Sequence, residues 1–150
     1  MSEDKNNACG MHCPVSGINI PRFLAATVVG FAFVFGFDYI VHSILLMDTY
    51  TQTPELWRPQ EEMQQYFPLM IGYQVLLVVL LGFIFTRNFE GKGVAEGVRF
   101  GLMMGALIGL LNAAAFIWMP ISLTLALSWA GAGLGATLGI GIIFSVIYKK

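Results

Sequence analysis

Four long apolar runs separated by short polar stretches set the pattern of the chain: residues 23–47, 68–86, 98–119 and 121–148. Each is near or above the ~20 residues that carry a helix across a bilayer. They are rich in Leu, Phe, Gly and Ala and lack the apolar–polar alternation of barrel strands, so the pattern predicts helices. The expected fold class is all-α, a four-transmembrane-helix bundle with short external interfacial helices between the first and second spans. Residues 1–21 are polar and punctuated by Gly and Pro. The chain therefore divides into a flexible cytoplasmic tail over 1–21 and a transmembrane domain over 22–150.

The connection over residues 48–67 carries signals of its own. Thr53-Pro54-Glu55 reads as a helix start, with Thr as N-cap, Pro at the first helical position and an acid in the first turn. Pro59 restarts the chain into a second short helix over 60–66, which Pro68 ends. Tyr50, Trp57, Tyr66 and Phe67 are aromatic residues of the kind that sit at headgroup level, and Trp57 is read as such an anchor rather than as a ligand contact. Arg58 stands among Asp48, Glu55, Glu61 and Glu62, so a surface ion pair worth about 0 to 1 kcal/mol is expected of it.

Polar residues inside the spans carry the candidate chemistry. Asp38 and His42 are four apart in the first run, which puts them on one helix face. A charge near the bilayer centre costs a few kcal/mol, so such residues turn toward a bundle interior or a water-filled cavity. Two readings stand side by side: an intrahelical ion pair that makes both residues tolerable, or a proton-titrating or cation-binding site. The second span carries Gln74, and the third and fourth carry Asn112 and Ser128.

Gly97, Gly101, Gly105 and Gly109 in the third span, and Gly131, Gly135 and Gly139 in the fourth, form flat faces that let backbones approach closely. Met119-Pro120-Ile121 leaves little room for a loop, so the last two spans should form a tight hairpin turning at Pro120. Equal distance from that turn pairs Gly109 with Gly131, Gly105 with Gly135, Gly101 with Gly139, and Asn112 with Ser128. The same glycine spacing also serves homo-oligomer interfaces. At about 1.5 Å per residue, His42 lies roughly 7 Å from the external end, Gln74 roughly 9 Å, Asn112 and Ser128 roughly 10 Å, and Asp38 roughly 13 Å. These depths predict one polar pocket open or nearly open to the outside, above a cytoplasmic half closed by glycine packing.

Composition and charge sharpen this picture. Hydrophobic residues make up 57% of the chain and charged residues only 11%, far from the roughly one quarter charged in soluble domains. The lipid bilayer is thus the expected surrounding. A net charge of -1 with no basic stripe argues against a nucleic-acid partner. If the N-terminus is cytoplasmic, Lys5, Arg22, Arg87, Lys92, Arg99, Lys149 and Lys150 fall on the cytoplasmic side and Arg58 alone outside. The positive-inside bias then places both termini in the cytoplasm, in a bacterial inner membrane. The tail lacks the usual basic n-region and small-residue cleavage site, so the first span is read as an uncleaved signal anchor.

Within the tail, Cys9, His12 and Cys13 are soft-metal ligands. The run Gly10-Met11-His12-Cys13 resembles part of the binding loop of heavy-metal-associated domains, but Ser16 stands where that family has its second cysteine. A solvent-exposed, reduced tail is the favoured reading over a metal site. A second resemblance covers roughly residue 23 onward. Asp38, His42, Leu45-Leu46, Tyr50, Trp57-Arg58-Pro59 and Glu62-Met63, with the later Gly-rich spans, resemble an uncharacterised family of small bacterial four-span inner-membrane proteins. That resemblance implies the fold and carries no activity.

The chain has one histidine in a span, no His/Glu metal array, no nucleophile beside an evident base and no phosphate-binding loop. No enzymatic activity and no cofactor are therefore expected. The favoured function is a non-catalytic accessory or interaction subunit, in a homo-oligomer or a larger membrane complex, with the polar layer specifying helix register. The alternative is a small proton- or cation-coupled transporter using Asp38. Against the alternative, no span shows the broken helix or internal repeat common in transporters.

Overall fold

A computed structural model describes residues 17–150. The tail residues Cys9, His12 and Cys13 lie outside the described residues. Helix α1 spans Ile20–Ile40 and starts where the Asn19 side chain accepts a hydrogen bond from the Arg22 N–H, with proline in the first turn. It runs without interruption into a π-helical turn, Val41–Leu45, in which the Leu46 N–H bonds the Val41 carbonyl at 2.9 Å. The connection then folds as α2 (Met47–Thr51), a 3₁₀ turn (Pro54–Leu56) and α3 (Gln60–Gln65). Helices α4 (Phe67–Arg87), α5 (Val94–Trp118) and α6 (Leu123–Ile147) complete the chain, the last capped by the Ser122 hydroxyl accepting from the Leu125 N–H. The described residues thus form an all-α bundle with four helices long and apolar enough to cross a membrane.

Several expected boundaries shift for local reasons. Ordered structure begins before residue 22, because Ile18 is buried in the core and Asn19 caps α1. Pro68 opens α4 instead of ending α3, since proline fits the first helical turn, where its missing N–H costs nothing. Helix α5 starts four residues before the expected run. Glu96 is buried there, and its carboxylate accepts the N–H groups of Glu90 (2.7 Å) and Lys92 (2.9 Å), pinning the 88–93 turn. Thr53 makes no side-chain cap, and its hydroxyl instead accepts from the Trp57 indole N–H.

Helices α5 and α6 form the tight hairpin, but not with the expected glycine pairing. The α5 glycines press on α6 backbone: a Cβ at Gly101 would stand 2.6 Å from Leu138 Cα, and one at Gly105 2.9 Å from Leu134 Cα. Gly97 meets Gly141, and Gly109 meets Ala130. The α6 row turns elsewhere, Gly135 receiving the ring of Phe37 and Gly139 that of Phe33, both from α1, while Gly131 faces open space. The two rows of small residues therefore serve two interfaces. Equal depth along a hairpin does not impose equal azimuth, because each helix advances 100° per residue.

At the end of the bundle that carries both ends of the described chain, called here the terminal end, the core is aromatic. Phe85 packs edge-on against Phe100, with ring centroids 5.3 Å apart, and lies 6.1 Å from Phe144. Tyr148 is fully buried against Phe89. Phenylalanine, with glycines such as Gly82 making room for Phe144, closes this half, where glycine packing alone was expected. The Asn19 N–H donates to the Tyr148 hydroxyl and Arg22 donates to the Ile147 carbonyl, so the two termini of the bundle are tied together.

Candidate functional site

At the opposite, distal end the connection after α1 folds over the α5–α6 turn. Leu46, Tyr50, Leu56 and Trp57 pack on Ala115, Ile121, Leu125 and Ala126. Trp57 turns inward, edge-on to Tyr50 (5.1 Å between centroids) and Trp129 (6.1 Å), not outward as a headgroup anchor. Arg58 points the other way, pairing with Glu62 at 3.6 Å and lying 4.6 Å over the Tyr66 ring, an exposed local pair as expected. The external element read as one unit is thus split: Tyr50 and Trp57 belong to the cap, and Arg58 does not.

Beneath the cap lies a cavity of about 270 Å³ walled by α1, α4, α5 and α6. Asp38, His42 and Asn112 line it together, as the depth argument requires, with Tyr73, Trp129 and Thr137 as polar or aromatic company and Val34, Leu77, Ile108 and Ile140 as apolar wall. Asp38 and His42 do not pair with each other. Asp38 accepts a 2.8 Å hydrogen bond from the Gln74 amide, which reaches across from α4, and His42 Nδ1 lies 2.6 Å from the Tyr50 hydroxyl. The partners are supplied across helices, so helix periodicity alone could not show them.

Ser128 is not among the lining residues. Its hydroxyl donates to the Thr124 carbonyl one turn earlier in α6, and Asn112 bonds the Trp129 carbonyl at 3.1 Å. A serine in an apolar helix meets its own backbone at lower cost than a distant partner. Gln74 is 96% buried behind Asp38, and its Oε1 has no hydrogen-bond partner. An unpaired buried acceptor costs about 1–3 kcal/mol, so the amide is placed to orient the carboxylate and not to maximise stability.

A chain of hydrogen bonds links Trp129, Tyr50 and His42. The Trp129 indole N–H can only donate, and it donates to the Tyr50 oxygen at 2.8 Å. The Tyr50 hydroxyl and His42 Nδ1 share the second hydrogen bond, at 2.6 Å, with the donor set by the imidazole tautomer. Burial raises the Tyr50 phenol above its ordinary value, and the Trp129 hydrogen bond opposes this in part. His42 sits in the π turn, and such turns occur often at functional sites because they break the regular hydrogen-bond ladder. Residues 37–48 contain no Gly or Pro to announce the irregularity.

The cavity's side wall is incomplete. Phe100 and Leu111 are eleven residues apart on α5, close to three turns, and so share a face. Phe100 is buried against Phe85 of α4, whereas Leu111 is 62% exposed. On α4, Tyr73 lines the cavity and is 62% exposed, and residues 67–70 are exposed throughout. Helices α4 and α5 touch at the terminal end through Phe85 and Phe100, and toward the distal end the cavity opens beside Tyr73, an exposed residue of its own lining. Among the described residues, no three His, Cys, Asp or Glu side chains gather to hold a metal ion. No family model matches the chain, and no curated protein or solved structure is similar to it.

Proposed function

We propose that the chain is a small multi-pass membrane carrier that binds a cation at Asp38. The observation that carries this reading is the orientation of the carboxylate: Asp38 faces a cavity instead of pairing with His42, and none of the described residues lining that cavity is Lys or Arg. A residue serving only helix register would gain most from a partner that neutralises it. An intramembrane carboxylate facing a cavity with no fixed countercharge is suited to take a cation or a proton in turn. The π turn that carries His42 departs locally from the regular helical ladder, a feature frequent at functional sites.

In this reading the terminal end, which carries Arg22, Arg87, Lys92, Arg99, Lys149 and Lys150, lies in the cytoplasm of a bacterial inner membrane, and the distal end with Arg58 lies outside. A chain of four spans would work as a pair of copies or within a larger complex. The test is flux in proteoliposomes loaded with a pH-sensitive dye, under imposed gradients of Na⁺, K⁺ or an ammonium salt. Parent protein should couple cation movement to pH change. Asp38→Asn, which keeps the shape and hydrogen-bonding capacity, should melt like the parent and lose that flux. Flux that survives in Asp38→Asn would remove Asp38 as the carrier.

A further inference from the structure

We propose that the cation is a small organic ammonium carrying a short hydrocarbon chain, with its charge at Asp38 and its hydrocarbon body along the apolar wall of the cavity. This rests on the reading of Asp38 as a cation site and adds the chemical class of the ligand. Three features of the site support it. Beyond the carboxylate, the cavity presents the rings of Tyr73 and Trp129, and aromatic faces attract ammonium groups without stripping a tightly held hydration shell.

The second feature is size: about 270 Å³ lies just below the 300 to 1,000 Å³ of drug-sized sites, which suits a small amine with a short chain. The third is the mouth. The cavity reaches the surface beside the exposed Tyr73, on a helix long and apolar enough to cross a membrane. Leu77 and Ile108 offer the ligand's apolar part a matching wall.

The experiment measures saturable binding to the full chain in neutral phosphatidylcholine vesicles, corrected with protein-free vesicles. The probes are butyltrimethylammonium, tetramethylammonium and Na⁺. Each buried methylene is worth roughly a fourfold gain, so the butyl compound should bind at least tenfold more tightly than tetramethylammonium. Asp38→Asn should abolish binding of both. Ala132→Leu narrows the cavity without touching the carboxylate, and it should erase the preference for the butyl chain while tetramethylammonium binding persists; a thermal melt checks that each variant is folded. If Na⁺ or tetramethylammonium binds as tightly as the butyl compound, in an Asp38-dependent way, this inference falls and the carrier reading stands. If no probe binds saturably, or if binding ignores Asp38→Asn, both fall.

Discussion

Tyr50 shows how much a single side chain can organise in a small membrane bundle. It joins α2 to α1 through His42 and to α6 through Trp129, so one hydroxyl holds three segments at the distal end. Tyr50→Phe keeps the ring packing on Trp57 but strands the indole N–H and the imidazole. The expected cost is about 1–3 kcal/mol, measured by denaturant unfolding in detergent. Its pH dependence has a definite sign. Because the folded phenol titrates above its ordinary 10.0, the neutral form contributes stability that is fully present below that value and lost as pH rises through the raised one. The parent should therefore lose melting temperature above about pH 10 more steeply than Tyr50→Phe does. An equal slope in both would place the alkaline loss elsewhere. None of this could be read from the sequence, because Tyr50 and Trp129 lie 79 residues apart.

The same limit appears among the elements. Spacing of four made the glycines stand out, yet not every one supports the contact assigned to it. Gly97→Ala and Gly101→Ala each push a methyl into α6 backbone and should destabilise by about 1–3 kcal/mol. Gly131→Ala meets nothing within 4 Å, and should be neutral or stabilising by up to about 1 kcal/mol from helix propensity. Matching melts for all three variants would refute the packing described. In the α4–α5 turn, Lys92 and then Arg99 hydrogen-bond Glu90 and lower its carboxyl below the ordinary range. That contribution is present above the unfolded-state value and is lost as pH falls through the lowered one. Glu90→Gln should flatten the fall in melting temperature between about pH 5 and pH 3, modestly because the site is exposed.

For the whole molecule the decisive prediction is topological. The ends of α1 and α6 are hydrogen-bonded to each other, so both termini of the described chain share one face of the bundle. Reporter fusions at Lys150 and near Gln60 should report opposite sides, with Lys150 cytoplasmic, because six basic residues cluster at the terminal end and one at the distal end. An external Lys150 would overturn the proposed orientation. Replacing Cys9 and Cys13 by Ser should leave insertion and melting unchanged, since neither falls in one of the four apolar runs of the sequence.

The sequence by itself determined the number of spans, the hairpin at Pro120, the short helices of the connection and the gathering of Asp38, His42 and Asn112 at one depth. Each follows from one-dimensional quantities: run length, proline position and rise per residue. Only the tertiary structure decided which partner each polar group takes. Gln74 reaches Asp38, Tyr50 reaches His42, and Ser128 stays on its own helix. It also decided that Gly135 and Gly139 of α6 receive rings from α1, and that the cavity opens beside the exposed Tyr73 of α4. These outcomes depend on helix azimuth and tilt, which arise from packing several helices at once and leave no periodic trace in any one of them.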